Sequence, residues 1–309
     1  MSKTDLYLLT GFLGAGKTTL LTNILKDLES DNVGVIMNEF GKVGIDGTII
    51  EKDGMVVTEL NRGSIFCSCL QLKFVDAMAE MADRSLKYLF VESSGLADPS
   101  NIGNILGGVE SIKGDAYSYK GAICLIDGVN FLEQLKDIET VERQLKHCHL
   151  AVINKVDLID ESEISQIKEK IAEINNKVDV VETTFGQMPY SFLGKDLIEN
   201  RVLEIEDTTN TPDSKPKTLN LTFDGQINKA LLTEFIDRIK GDCFRIKGYF
   251  NLEDGLNQVD VVNKKIDFKI KENKEAPSQL VFISKIGPQI IRPIVNAWDE
   301  VVGEKMKLR

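Results

Sequence analysis

Short apolar runs alternate with helix-period stretches along the first two thirds of the chain. Residues 6–10 (LYLLT), 33–37 (VGVIM), 55–60 (MVVTEL), 88–91 (YLFV), 122–126 (AICLI), 150–153 (LAVI) and 178–181 (VDVV) are rich in apolar and β-branched side chains. Runs of that length and composition read as strands, most of them buried on both faces. Between them, Leu20, Leu21, Ile24 and Leu28 fall at helical spacing after Lys17, and 72–82 and 162–174 repeat that period. Alternating strands and helices predict an α/β domain whose mostly parallel sheet is covered by helices.

The pattern changes near residue 204. Residues 204–217 (EIEDTTNTPDSKPK) are polar and carry Pro212 and Pro216, the composition of a linker. Beyond it, strands are predicted at 219–223, 244–252, 258–262, 266–270 and 279–283, with helices at 230–239 and 290–302. Strands in series with helices near the ends predict a smaller α+β domain. The expected division is 1–203, a linker at 204–216, and 217–309.

Polar motifs follow the predicted strands, where open α/β sheets bind ligands. Residues 11–18 (GFLGAGKT) match the P-loop pattern G-x-x-x-x-G-K-[ST] between a strand and a helix. Backbone N–H groups of such a loop and the helix N-terminus hold phosphates. Gly14, Ala15, Gly16, Lys17, Thr18 and Thr19 are therefore the expected cradle, with Lys17 on the β- and γ-phosphates and the Thr18 hydroxyl on Mg²⁺. Glu92, in Glu92-Ser93-Ser94-Gly95, stands where a strand-end carboxylate would meet Mg²⁺ or its water. Gly95 would offer its N–H to the γ-phosphate; the plainer reading of Ser93 or Ser94 is a helix cap. Asn38 and Glu39 open a second loop expected near the metal. Asn154-Lys155-Val156-Asp157 is an N-K-x-D sequence at a strand end. An aspartate there accepts from guanine N1–H and N2–H₂, a donor pair adenine lacks. We expect Asn154, Lys155 and Asp157 to bind the base. Catalytic roles fall to Lys17, Glu39 and Glu92 in GTP hydrolysis to GDP and phosphate. No arginine stands in these motifs, so a slow unassisted rate is expected. An ATP-using P-loop kinase is the rival that N-K-x-D disfavours.

At GFLGAGKTTLL, NEFGKVGIDG, ESSGLADP and NKVDL the sequence resembles the CobW family of P-loop GTPases, as it does at FRIKGYF and QLVFIS in the second half. The resemblance implies a P-loop GTPase domain over 1–203 and the family's C-terminal domain over 217–309. It also implies a GTP-dependent metallochaperone or insertase for zinc, cobalt or related metals, serving a client metalloprotein or corrinoid protein such as those of cobalamin synthesis. The family's metal motif is G-C-x-C-C. Aligned on Gly63, this chain has Ser64 and Phe66 at the first two cysteine positions, keeps Cys67, and adds Cys69. Two thiolates can share a soft or borderline ion such as Zn²⁺ or Co²⁺ but cannot fill a tetrahedral site. The other ligands would come from Glu39, from a second copy in a homodimer, or from the client. The expected metal-site residues are thus Thr18, Glu39 and Glu92 for Mg²⁺, and Cys67 and Cys69 for the carried ion. A GTP-dependent switch without a metal site is the alternative. In His147-Cys148-His149, adjacent side chains diverge, so a helix end whose imidazoles meet terminal carbonyls is expected. Cys124 and Cys243 read as core.

Composition narrows the partners. A net charge of −11 argues against nucleic acid, whose phosphates need a basic surface. No apolar run is long enough to span a membrane, and no leader segment is evident, so a cytoplasmic location is expected. Five cysteines, an odd number and scattered, read as thiols or metal ligands and not as a disulfide framework.

Overall fold

A computed structural model describes residues 3–28, 32–39, 56–61, 71–198, 216–262, 265–272 and 276–309. The chain divides into two compact units, Met1–Ser214 and Lys215–Arg309. Residues 204–215 of the expected linker lie outside the described residues.

The first unit is built on seven strands: β1 (Thr4–Gly11), β2 (Val33–Glu39), β3 (Val56–Asn61), β4 (Tyr88–Glu92), β5 (Tyr117–Asp127), β6 (Leu150–Asn154) and β7 (Asp179–Thr183). They form one sheet in the order β3-β2-β4-β1-β5-β6-β7, and every pairing is parallel. Its helices are α1 (Lys17–Asp27), α2 (Gln71–Ala82), α3 (Ile102–Lys113), α4 (Phe131–Asp137), α5 (Glu139–Lys146) and α6 (Glu161–Ile174). The chain leaves β1 to one side for β2–β4, then crosses to the other for β5–β7. That reversal opens a crevice at the carboxyl end of β1. Leu20, Leu21, Ile24 and Leu25 of α1 share a buried cluster with Tyr7 and Leu9 of β1, Phe90 of β4 and Leu125 of β5. This packing fixes α1 at the mouth of the crevice.

The expected α/β fold is found, with three additions. Helix α3 forms despite Gly103, Gly107 and Gly108, with Gly108 facing Val75 of α2, against which the helix packs. Helices α4 and α5 are too short for their periodicity to register. Strand β5 begins five residues before the expected run, since a register shift opposite Leu6/Tyr7 interrupts the alternation there.

The second unit is an antiparallel sheet ordered β11-β10-β9-β12-β8-β13, from β8 (Thr218–Phe223), β9 (Cys243–Leu252), β10 (Gly255–Val262), β11 (Lys265–Ile270), β12 (Ser278–Ser284) and β13 (Lys307–Leu308). Helices α7 (Lys229–Ile239) and α8 (Ile291–Val301) complete it. Its core centres on Trp298, whose ring meets Phe235 edge-on at 5.1 Å and Phe223 at 5.2 Å. The indole N–H donates to Glu304 O at 2.6 Å, so the buried ring keeps its polar group satisfied.

Candidate nucleotide site

The P-loop runs from the end of β1 into α1. Gly11, Gly14 and Gly16 take φ of +128°, +80° and +106°. Gly16 caps α1 without any side-chain hydrogen bond, and the first turn holds no acidic residue. The first-turn N–H groups are thus open to an anion rather than to a capping oxygen. A Cβ on Gly16 would lie 2.4 Å from Asn154 Nδ2, so only glycine fits between the loop and β6. Lys17 is buried, and its Nζ donates to the carbonyls of Gly11 (2.7 Å) and Phe12 (3.2 Å). The ammonium therefore lies within the loop, where phosphate oxygens can exchange with those carbonyls.

Beside it, Thr18 Oγ1 donates to Glu92 Oε1 at 2.9 Å. Glu92 is buried at the carboxyl end of β4, in register with Leu9 of β1. A hydroxyl and a carboxylate meeting next to a phosphate cradle form an all-oxygen donor pair that fits Mg²⁺. Ser93 continues the ladder, donating through N and Oγ to Leu9 O. The short 3₁₀ turn Pro99–Asn101 that precedes α3 is capped by Asp98, which accepts from Ser100 N at 3.1 Å, and not by Ser93 or Ser94. A Cβ on Gly95 would lie 2.6 Å from the Leu13 N, so the 93–98 segment touches the P-loop at that residue.

Helix α5 grips the same segment. Gln144 Nε2 donates to Gly95 O (3.2 Å) and Ala97 O (2.9 Å), and Arg143 Nε meets the fully buried Asp98 carboxylate at 2.7 Å. The sequence reading missed this clasp, because its donors come from a short helix some 45 residues away.

Asn154 sits between the P-loop and the turn after β7. Its Nδ2 donates to Ala15 O at 2.8 Å, and its Oδ1 accepts from Gly186 N at 3.2 Å. The side chain braces the P-loop against the turn after β7. Lys155 takes φ +66°, and its ammonium meets Asp127 at 2.7 Å. Asp157 lies exposed in a 3₁₀ turn, Val156–Leu158. Thr19, the last residue of the expected cradle, is exposed.

Glu39 ends β2 opposite Asn61, with only its backbone described. Neighbouring Asn38 donates to Leu60 O at 3.0 Å. Cys67 and Cys69 lie outside the described residues, and among the described residues no three His, Cys, Asp or Glu side chains group to hold a metal ion. Cys124, Cys148 and Cys243 are buried thiols. Helix α5 ends with His147 as its C-cap, the helix end expected there. The carbonyls of Leu145, Lys146 and Cys148 are met by Asn175 Nδ2, while His149 Nδ1 accepts from Ala122 N at 3.0 Å. An amide carries several donors toward one point, whereas His149 is drawn into the sheet by the unmet N–H of β5.

The family model described as "CobW/HypB/UreG, nucleotide-binding domain" matches residues 5–182, more than half of the chain. The chain belongs to the CobW/HypB/UreG family. A second model, "Cobalamin synthesis protein cobW C-terminal domain", matches 217–296. Zinc chaperone YjiA of Escherichia coli K12 is 33% identical over 192 residues, 60% of this chain and 59% of YjiA, so the aligned part spans less than two thirds of that relative. Zinc chaperone CobW of a Sinorhizobium species is 26% identical over 282 residues, 78% and 79% of the two chains. The solved structure of Zn(II)-bound YjiA GTPase from E. coli aligns with a TM-score of 0.50 at 22% identity, covering 97% of this chain and 99% of that one, which shows a shared fold. Within this CobW-type chain, the P-loop, the Glu92 strand end and the N-K-x-D turn all fall inside the stretch matched by the nucleotide-binding model. No helix among the described residues is long and apolar enough to cross a membrane.

Proposed function

We propose that the chain is a GTPase that couples its nucleotide state to carrying a divalent ion of the zinc or cobalt type to a client metalloprotein or corrinoid protein. The observation that supports the nucleotide part is the join between Ala15 and Asn154, which ties the P-loop to the N-K-x-D turn. Lys17 would exchange the carbonyls of Gly11 and Phe12 for β- and γ-phosphate oxygens. Asp157, free of burial, would accept from guanine N1–H and N2–H₂. Gly95 would present its N–H to the γ-phosphate once Gln144 lets the segment move. Thr18 and Glu92 would hold Mg²⁺, which would offset negative charge on the phosphates. Hydrolysis would then be attack of water on the γ-phosphorus with cleavage of its bond to the β,γ-bridging oxygen, releasing GDP and phosphate, aided by positioning and fixed charge.

The metal part is supported by the relatives named zinc chaperones and by the Cys67–Cys69 pair. The pair would hold the ion as cargo, with open positions through which it passes to the client. The replacement of two family cysteines by Ser64 and Phe66 favours a second reading, a GTP switch without metal. Calorimetric titration with GDP and ADP in Mg²⁺ tests the nucleotide part. GDP should bind at least ~100-fold tighter, the scale on which a site built for one polar edge rejects another. Equal affinities would defeat the proposal.

A further inference from the structure

Phe185 follows β7 in the turn Thr184-Phe185-Gly186-Gln187, with φ +52° and 68% of its surface exposed. A left-handed φ is unfavourable for a bulky residue, and an exposed ring recovers nothing through burial. Such strain persists where the surroundings over-determine it, characteristically at binding sites. Here they do. Asn23 Nδ2 of α1 donates to Phe185 O at 2.9 Å, Gly186 N donates to Asn154 Oδ1, and Tyr190 OH donates to Gly186 O at 3.0 Å. Thr183 Oγ1 and Gln187 N close the turn, on Gln187 O and Thr184 O respectively. A Cβ on Gly186 would come within 2.9 Å of Leu20 Cα, so the turn is pressed onto the helix that follows the P-loop.

The turn is therefore held by the same two elements that carry the phosphate cradle and the N-K-x-D sequence. In the sheet, Thr183 of β7 is in register with Asn154 of β6, so Phe185 and Lys155 both follow the carboxyl ends of neighbouring strands. Lys155 has its ammonium tied to the buried Asp127, which leaves its apolar stem fixed. We propose that Phe185 is a base-stacking residue: its ring and the Lys155 stem form the two walls of a slot for a flat purine. The proposal rests on the guanine-nucleotide reading above. It divides the labour at the base. Asp157 reads the edge and sets specificity, while Phe185 grips the face and adds affinity to any purine.

The test is titration of GDP, IDP and inorganic tripolyphosphate into the full-length wild type and the variants Phe185→Ala, Phe185→Asn and Phe185→Trp. Loss of the ring should weaken GDP and IDP by the same factor, roughly tenfold or more, the range seen when a base-stacking aromatic is truncated. Tripolyphosphate, which has no base, should bind all four proteins alike. Asn tolerates the left-handed turn, so Phe185→Asn should melt no lower than the wild type while still losing purine affinity. In Phe185→Trp, GDP should quench the new indole; the wild type, with Trp298 as its single tryptophan, is the blank. If the wild type binds GDP and both the Ala and Asn variants match it within twofold, the stacking role is overturned and the guanine reading stands. If the wild type binds tripolyphosphate but not GDP, both fall.

Discussion

The Asn154 amide donates a 2.8 Å hydrogen bond to the carbonyl of Ala15, joining two motifs 139 positions apart. Its oxygen accepts from Gly186 N, so three loops at the carboxyl edge of the sheet meet on one buried side chain. Asn154→Ala leaves a buried carbonyl and a buried N–H unmet. Each costs about 1–3 kcal/mol, so the variant should lose about 2–6 kcal/mol and melt several degrees lower. GDP affinity should fall with it, because the cradle loses its brace. Asp157→Ala, at an exposed position, should change stability by less than about 0.5 kcal/mol while erasing the preference for guanine. Paired melting curves and GDP/ADP titrations check both; a stable Asn154→Ala protein with normal binding would contradict the bracing role.

The clasp between α5 and the 93–98 segment gives a second expectation. Asp98 is fully buried, and the Arg143 side chain is 16% exposed. Removing the cation leaves the buried carboxylate without its ion-pair partner, so Arg143→Ala should cost about 3 kcal/mol by denaturant unfolding. Asp98→Asn combined with Arg143→Gln should cost less than the two single changes added together, since the charges are lost as a pair. Simple additivity would show that the contact carries no coupling.

Turnover without a client should be slow, on the order of 10⁻⁴ to 10⁻³ s⁻¹, as for GTPases that lack a charge-offsetting arginine. Arg143, the arginine nearest the 93–98 segment in the described structure, has its Nε engaged by Asp98. Single-turnover assays of the metal-free protein measure this directly, and fast hydrolysis would contradict it.

Alkaline stability follows from burial. Burial pushes the Cys243 thiol up from 9.0 to about 12, and raises the phenols of Tyr7, Tyr117 and Tyr119. A group whose folded pKa lies above its unfolded value adds stability that is full below the unfolded pKa and is lost as pH climbs to the folded one. Stability should therefore decline steadily between pH 9 and 12, by an amount that shrinks in Cys243→Ala. Thiol titration at pH 8 should leave Cys124, Cys148 and Cys243 unreactive until the protein unfolds, since all three are buried. Reaction of more than two thiols in the native protein would count against this packing.

Much of this was legible in the sequence, for identifiable reasons. Helix α1 starts at Lys17, as expected, because the P-loop glycine and the Leu20–Ile24 period mark the same start. Glu92 was legible as the polar end of a fully buried run. What escaped depends on tertiary contact. Glycines masked α3, which is held by packing against α2. The amide of Asn154 reads as a base ligand in the motif and as a brace only once Ala15 and Gly186 are beside it. The Gln144–Arg143 clasp joins elements that no local pattern links. The strain at Phe185 is a backbone angle, and nothing in Thr-Thr-Phe-Gly announces its sign.

The central claim is that nucleotide and carried metal share one equilibrium. Zinc titration of the reduced protein, once with GDP and once with a non-hydrolysable GTP analogue, tests it most directly. The wild type should bind Zn²⁺ with affinities that differ between the two nucleotides, and Zn²⁺ should shift the affinity ratio of the nucleotides by the same factor, because coupling is reciprocal. Affinity should weaken as pH falls below the thiol range, since thiolate is the binding form. Cys67→Ala/Cys69→Ala should lose the ion and the coupling while keeping GDP binding. If the double variant matches the wild type in every titration, the two thiols carry no metal and the metal-free switch is the correct account.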